Sequence, residues 1–225
     1  MNPLIENLKG KLIVSCQAYV GEPLRHPETM AQMARACELG GAAAIRCQGL
    51  SDIAAIKGRV EVPVIGLWKE GHDGVYITPT ARHAIACVNA GADVVAIDAT
   101  AALRPDGTTF EEQVAAVRAA CDTPIMADCA TIEDIRRGVA CGCDLVSTTL
   151  SHGTNAIDCG LADGPDLPLL RQAVEEFPGF PVICEGRVHT PADAAAAIRA
   201  GAWAVVAGTA ITHPTSITSW FAAAL

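Results

Sequence analysis

A lysine and a glutamate carry the chemistry that this sequence is best placed to do. Lys69 closes the phrase Val62-Pro-Val-Ile-Gly-Leu-Trp68-Lys69, and Glu185 closes Pro181-Val-Ile-Cys-Glu185. In both, a short apolar run introduced by proline stops at an ionisable residue. An amine and a carboxylate on either side of a substrate can take a proton from one face of a carbon and return one to the other. Carbon acids of this kind are weak, so the base must be deprotonated yet poised, and the developing enolate must be stabilised. Burial would lower the lysine pKa toward the working range, because desolvation disfavours the charged amine. Two other roles stay open: the pair as an internal charge network, and Lys69 as a Schiff-base nucleophile toward a carbonyl substrate.

The elements that position these residues follow from internal repetition. Leu39-Gly-Gly-Ala-Ala-Ala-Ile-Arg46 is echoed by Ala90-Gly-Ala-Asp-Val-Val-Ala-Ile-Asp98, Cys141-Gly-Cys-Asp-Leu-Val-Ser-Thr148 and Ala200-Gly-Ala-Trp-Ala-Val-Val-Ala-Gly208. Each reads as a helix end, a glycine cap, a turn and a continuous apolar strand. Strands are expected over 12–16, 43–46, 64–68, 94–97, 125–127, 145–148, 182–184 and 204–207. Helical spacing marks 29–39, 80–90, 109–120, 131–141, 167–177 and 191–200, with a shorter stretch over 51–60 and a closing segment over 210–225. Eight near-continuous apolar strands alternating with helices imply a parallel sheet covered on both faces. Eight units in 225 residues match a single (β/α)8 barrel domain spanning 1–225, near the minimum size of that fold. A doubly wound open sheet would carry a glycine-rich fingerprint after its first strand, whereas Cys16-Gln-Ala-Tyr-Val-Gly21 follows here.

In such a barrel the C-terminal strand ends form the active face. The first polar residues there are Gln17, Arg46, Lys69, Asp98, Asp128, Thr148, Glu185 and the pair Gly208-Thr209. Lys69 and Glu185 fall on strands three and seven, which face each other across an eight-strand ring. The loops after strands seven and eight are the usual phosphate site of barrel enzymes. Gly186-Arg187 and Ala207-Gly208-Thr209-Ala210 fit it, since glycine lets backbone N–H groups approach an anion and a helix start adds a favourable dipole. Thr190-Pro191-Ala-Asp193 opens the next helix, with threonine as N-cap. Thr78 or Thr80 reads as a helix cap, Arg104 as part of a turn or a reach into the cavity, and His72 as solvated. His152 and His189 lie near the active lip without an assigned role. No His, Cys and carboxylate cluster has metal-ligand spacing, so side chains alone are expected to do the chemistry, with no cofactor.

Composition narrows the partners. A net charge of −9 disfavours nucleic acid and anionic membrane, yet leaves room for a small anion where cations cluster. The N-terminus lacks the basic and apolar regions of a signal peptide, and no apolar run approaches the ~20 residues of a membrane span. Ten cysteines scattered along the chain suit a reducing, cytoplasmic setting in which they are buried thiols. Trp203 and Trp220-Phe221 fit either a homodimer face or packing within one chain.

At this point the residues resemble the N-acetylmannosamine-6-phosphate 2-epimerases. The phrases that carry the resemblance are Ser15-Cys-Gln17-Ala, Ala44-Ile-Arg46, Gly66-Leu-Trp-Lys69 and Val75-Tyr-Ile-Thr-Pro-Thr80, then Asp98-Ala-Thr100, Met126-Ala-Asp128-Cys, Glu185-Gly-Arg187-Val-His-Thr-Pro191 and Gly208-Thr-Ala-Ile-Thr212. The resemblance implies a cofactor-independent interconversion of N-acetylmannosamine 6-phosphate and N-acetylglucosamine 6-phosphate, in sialic acid and amino-sugar catabolism. The carbon inverted is C2, acidified by the C1 aldehyde of the open-chain sugar. It further implies Lys69 as base and Glu185 as second proton-transfer group. Gln17, Arg46 and Asp128 would hold the sugar, its N-acetyl group and the reactive centre, and Gly186, Arg187, Gly208 and Thr209 would hold the phosphate. Two positions depart from the family pattern: Glu70 and His213 stand where arginine is common, and both remove positive charge near the expected anion site. A Schiff-base aldolase built on Lys69 and a sugar-phosphate-binding barrel without turnover are the competing functions.

Overall fold

The computed structural model describes residues 2–151 and 164–225; His152 lies outside the described residues. Eight parallel strands close on themselves in chain order, with the first paired to the eighth. They are β1 (Leu12–Cys16), β2 (Ala44–Gln48), β3 (Val64–Leu67), β4 (Val94–Asp98), β5 (Ile125–Asp128), β6 (Leu145–Ser147), β7 (Val182–Glu185) and β8 (Ala204–Ala207). The outer ring is α2 (Pro27–Leu39), α3 (Leu50–Lys57), α4 (Ala81–Asn89), α5 (Phe110–Ala120), α6 (Ile132–Ala140), α7 (Leu167–Glu176) and α8 (Pro191–Arg199), completed by the short α9 (Thr209–Thr212) and α10 (Pro214–Ala223). This is the single (β/α)8 barrel expected from the repeats.

Local chemistry explains where the helices start and stop. Thr109, Thr131 and Thr190 each accept from the backbone N–H three residues on, while an acid at that position reaches back to the cap, so α5, α6 and α8 all begin in capping boxes. The repeated glycines do the reverse job. Gly41, Gly91, Gly142 and Gly201 all hold positive φ just past a helix end, a backbone conformation that costs other residues energy.

Alternation along the strands sorts side chains into two cores. Ile13, Ala44, Ile65, Leu67, Val94, Ala96, Met126, Leu145, Ile183, Ala204 and Val206 fill the barrel interior. The alternate residues, among them Cys16, Cys47, Ile97, Cys129 and Cys184, pack outward against the helices. The nine described cysteines are free thiols. A short helix absent from the sequence expectation, α1 (Pro3–Glu6), plugs the N-terminal mouth with Ile5, followed by Leu8. Trp203 packs there and donates from Nε1 to the Ile5 carbonyl at 2.8 Å, which accounts for this aromatic within one chain. No helix among the described residues is long and apolar enough to cross a membrane.

Candidate active site

Four strands, β2, β4, β5 and β7, end one or two residues later than the apolar runs suggest, while β3 and β6 end one residue earlier. β2 continues to Gln48, so Arg46 is a mid-strand residue facing the axis rather than a surfacing end. β3 stops at Leu67, and Lys69 is held beyond it by an antiparallel bridge to Ile77. The Thr78 N–H donates to the Trp68 carbonyl at 2.8 Å, and the Glu70 N–H donates to the Tyr76 carbonyl at 3.0 Å. Lys69 and Tyr76 therefore ride on one small hairpin. Gly66 makes the underlying packing possible, since a Cβ there would meet Ala92 and Ile53 at 2.7 and 2.8 Å.

Continuing the interior parity upward brings Ser15, Arg46, Asp98, Asp128, Ser147 and Glu185 to one layer above the apolar core, in register with their neighbours. Arg46 is its centre. Its guanidinium, 1% exposed, donates through Nη1 to Asp128 Oδ1 at 3.1 Å and through Nη2 to Oδ2 at 2.6 Å. Its Nε lies 3.2 Å from Glu185 Oε1. Burial alone would discharge this cation, but Asp128 and Glu185 outweigh it and hold its pKa above the usual value. Glu185 Oε2 accepts from Thr149 Oγ1 at 3.0 Å. Burial pushes the Glu185 carboxyl up, opposed first by Arg46.

Above this layer opens a cleft enclosing about 940 Å³, including its open mouth. Lys69, Arg46, Glu185, Gln17, Gly186, Arg187, Gly208 and Thr209 all line it. Burial pushes the Lys69 amine down to about 8, with Arg46 adding to the effect and Glu185 opposing it. Its Nζ sits 5.6 Å from the centre of the Tyr19 ring. Lys69 and Glu185, on opposite strands of the closed ring, share one cavity as expected. Gln17 Nε2 donates to Ser15 Oγ at 3.0 Å, while its buried Oε1 has no protein partner, leaving an acceptor on the cavity wall.

Other expectations resolve differently. Asp128 is fully buried and stands behind Arg46, with Ser147 and Thr149 hydroxyls on Oδ1; it is not part of the cavity lining. Asp98 folds back to accept from the N–H and hydroxyl of Thr100 at 2.8 and 2.6 Å. Thr148 faces outward from the ring and exchanges hydrogen bonds with the Glu185 backbone. Arg104 turns to the carbonyls of Asp98, Thr100 and Ala102 and to Gln113, rather than into the cavity. Thr80 caps α4, and Thr78, at φ 48, accepts from the Trp68 N–H. His72 is solvated. His189 lines the cleft against Trp220, ring centres 4.7 Å apart. The residues missed in the sequence are Ser15, Tyr19, Tyr76, Thr149 and Thr212, which also line the cleft; strand parity points to Ser15 and Thr149, whereas the loop tyrosines carry no such signal. Among the described residues, no group of three or more His, Cys, Asp or Glu is arranged to hold a metal ion.

The anion end is built mainly from backbone. Gly186 and Arg187 hold φ of 101° and 55°, and Arg187 donates from Nε to the Gly164 carbonyl and from Nη1 to the Ser151 carbonyl at 2.9 and 3.1 Å. On the neighbouring strand, Gly208 follows β8 and precedes α9, and His213 closes the rim. The His213 Nδ1 accepts from the Ser216 N–H at 3.3 Å, and Nε2 lies 3.3 Å from Glu22 Oε1. Glu70, by contrast, is outside the cavity lining. It is half exposed and pairs with the buried His83 at 2.6 Å.

Residues 30–225 match the family model described as "Putative N-acetylmannosamine-6-phosphate epimerase". The chain belongs to this family. A relative from Cutibacterium acnes named "Putative N-acetylmannosamine-6-phosphate 2-epimerase" is 54% identical over 99% of this chain and 96% of its own length. One of the same name from Caldanaerobacter subterraneus subsp. tengcongensis is 46% identical over 97% and 92%. The solved N-acetylmannosamine-6-phosphate 2-epimerase of Clostridium perfringens superposes with a TM-score of 0.91 at 39% identity, covering 99% of this chain and 96% of that one. A thiamine phosphate pyrophosphorylase from Pyrococcus furiosus, 18% identical with a TM-score of 0.63 over 93% of this chain and 89% of its own, shares the barrel alone. The epimerase family thus has its full barrel here, with the lysine, the arginine and the glutamate on one cavity.

Proposed function

We propose that this chain is an isomerase that interconverts N-acetylmannosamine 6-phosphate and N-acetylglucosamine 6-phosphate by removing and returning the proton at C2. The observation that carries the reading is Lys69, an amine lowered to about 8 by burial on the wall facing an Arg46-held carboxyl. Such an amine is about one-fifth neutral near pH 7.4, against roughly one part in a thousand at the ordinary lysine pKa, and can act as a base. In the open-chain sugar the C1 aldehyde acidifies C2, and removal of its proton puts negative charge on the carbonyl oxygen. Lys69 takes the proton from one face, and Glu185 serves the other. Arg46, fixed by Asp128, supplies a buried positive charge to the developing enolate.

Gln17 Oε1 is an acceptor suited to the acetamido N–H. Gly186, Arg187, Gly208 and Thr209 receive the phosphate through backbone N–H groups and one guanidinium. The chain is read as acting in the cytoplasm, consistent with free thiols, and as a homodimer. For the latter, α10 has no buried residue and Phe221 is 73% exposed, an apolar helix that a second copy would cover; sedimentation at a monomer mass would remove this reading. The activity is tested by incubating the protein with N-acetylmannosamine 6-phosphate in D2O. Deuterium at C2 of the product is expected, and absence of product would remove the substrate assignment.

A further inference from the structure

Among the described residues, the hydroxyls of Ser147 and Thr149 beside Glu185 share four close oxygen contacts between two protons. Ser147 Oγ lies 2.9 Å from Asp128 Oδ1 and 2.6 Å from Thr149 Oγ1. Thr149 Oγ1 lies 3.0 Å from Asp128 Oδ1 and equally 3.0 Å from Glu185 Oε2. A threonine hydroxyl donates one hydrogen bond and rotates to choose its acceptor, so Thr149 cannot serve both carboxyl groups at once. The other oxygen of Glu185 lies 3.2 Å from Arg46 Nε as an ion pair without hydrogen-bond geometry, so Oε2 is the carboxyl oxygen with a hydroxyl donor beside it. A carboxyl group that cycles between ionised and protonated forms needs a neighbour that can donate in one state and withdraw its donor in the other. A fixed N–H would favour only the ionised form, and an apolar neighbour only the neutral one.

We propose that Thr149 is the positioning residue for proton transfer at Glu185. Its hydroxyl donates to Oε2 while the carboxylate is ionised and turns to Asp128 Oδ1 once Oε2 carries a proton. No bond of Thr149 breaks. In one direction the Glu185 O–H bond breaks as its proton goes to C2 while Lys69 takes the C2 proton from the opposite face. In the reverse direction Glu185 takes the C2 proton and the Lys69 ammonium supplies one. Asp128 keeps its two hydrogen bonds from Arg46 throughout, and Ser147 donates to Asp128 or Thr149 according to where Thr149 points. In both states each Asp128 oxygen keeps a donor from Arg46. The charged and titratable groups facing Glu185 are Arg46 from β2, Lys69 past β3, Asp128 from β5 and Tyr19 past β1.

This inference rests on the epimerase reading for the identity of the carbon acid, but the hydroxyl can be tested with and without substrate. Thr149→Val keeps the shape and removes the hydroxyl. It is expected to lower kcat roughly ten- to a hundredfold, the scale of a misplaced acid–base group, with KM held within about twofold. Losing the donor to the ionised form moves the Glu185 limb of the pH profile upward, and Thr149→Ser brings it back. Thr149→Ala serves if the valine variant does not fold. In substrate-free protein, an infrared titration of the carboxyl band that disappears in Glu185→Gln should show a raised midpoint in Thr149→Val and an unchanged one in Thr149→Ser. An unmoved midpoint, or a valine variant with the parent kcat and pH profile, overturns the proposal. If the parent protein leaves N-acetylmannosamine 6-phosphate unchanged, the epimerase reading fails while the infrared result still decides the role of Thr149.

Discussion

The two ends of the cavity solve opposite electrostatic problems. At the proton end, charge is buried and satisfied: one guanidinium with 1% exposure binds two carboxyl groups, and two hydroxyls fill the remaining contacts. At the β7–β8 end, where the phosphate is proposed to bind, Arg187 spends two of its N–H groups on backbone carbonyls, beside Gly186, Gly208 and the start of α9. The carboxyl groups of the first end are held by a buried guanidinium and two hydroxyls, with only Arg46 Nε of that guanidinium lacking a hydrogen-bond partner. Such a network restrains geometry, which suits proton transfer. An end built from backbone N–H groups leaves its donors for a ligand, which suits holding a dianion. Substitutions at the first end should therefore cost turnover and stability, and those at the second should cost mainly affinity.

The sharpest break falls on Lys69. Lys69→Ala should lower kcat by about 10³-fold or more, at the upper part of the range for a general base. Lys69→Arg should not rescue it, because a guanidinium stays protonated. In the parent protein kcat/KM should rise with pH through about 8, where Lys69 loses its proton. An acid limb unchanged in Lys69→Ala would take the base role away from this residue.

Next comes the centre of the network. Arg46→Met leaves two carboxyl groups in the interior without their cation, and should destabilise the fold by about 3–5 kcal/mol, the usual cost of breaking a buried pair. Urea unfolding measures this, and a loss under about 1 kcal/mol would show that water enters the layer and screens it.

Lys69 also predicts the opposite sign for stability. Its pKa is 10.5 in a model chain and about 8 in the fold, so below 8 folding carries the full penalty of burying a cation. Between 8 and 10.5 the unfolded chain holds more protons than the folded one, and stability rises with pH as that penalty is relieved. Lys69→Met should thus be inactive yet more stable at pH 7, by on the order of 2–3 kcal/mol, with the gain fading toward pH 10.5. A variant less stable than the parent at pH 7 would mean that contacts of the amine with Glu185 outweigh its desolvation.

Most of the barrel was legible because its signals are local and repeated. Glycine after each helix, proline before alternate strands and unbroken apolar runs gave all eight strands within two residues at either end. That Lys69 and Glu185 share one cavity was legible too, since strands three and seven must face each other in a ring of eight. What the reading missed follows from taking the first polar residue past each apolar run. That choice selected Thr148, which faces outward, over Ser147 and Thr149, which face the axis two residues apart. Strand parity points to Ser147 and Thr149. The substrate role of Asp128 comes from the family resemblance, and the carboxyl lies buried against Arg46. Tyr19, Tyr76 and the exit of Arg104 from the cavity depend on loop paths that no periodicity encodes.

The smallest effects come from the two positions where the family commonly has arginine, and they test the division between the ends directly. Both replacements form a histidine–glutamate pair, Glu70 with His83 and His213 with Glu22, but only His213 lines the cavity. Glu70→Arg removes a half-exposed pair outside the lining, so it should change stability by less than about 1 kcal/mol and leave KM within about twofold. His213→Arg puts a guanidinium on the rim where the phosphate is expected, and should lower KM by roughly three- to tenfold, a modest share of what a charge-assisted hydrogen bond contributes. It also removes the ring that accepts from the Ser216 N–H at the start of α10, at a cost of about 1 kcal/mol in stability. Steady-state kinetics and thermal unfolding of both variants separate the cases. A KM that falls in Glu70→Arg and not in His213→Arg would place the anion at the Lys69 hairpin instead of the β7–β8 rim.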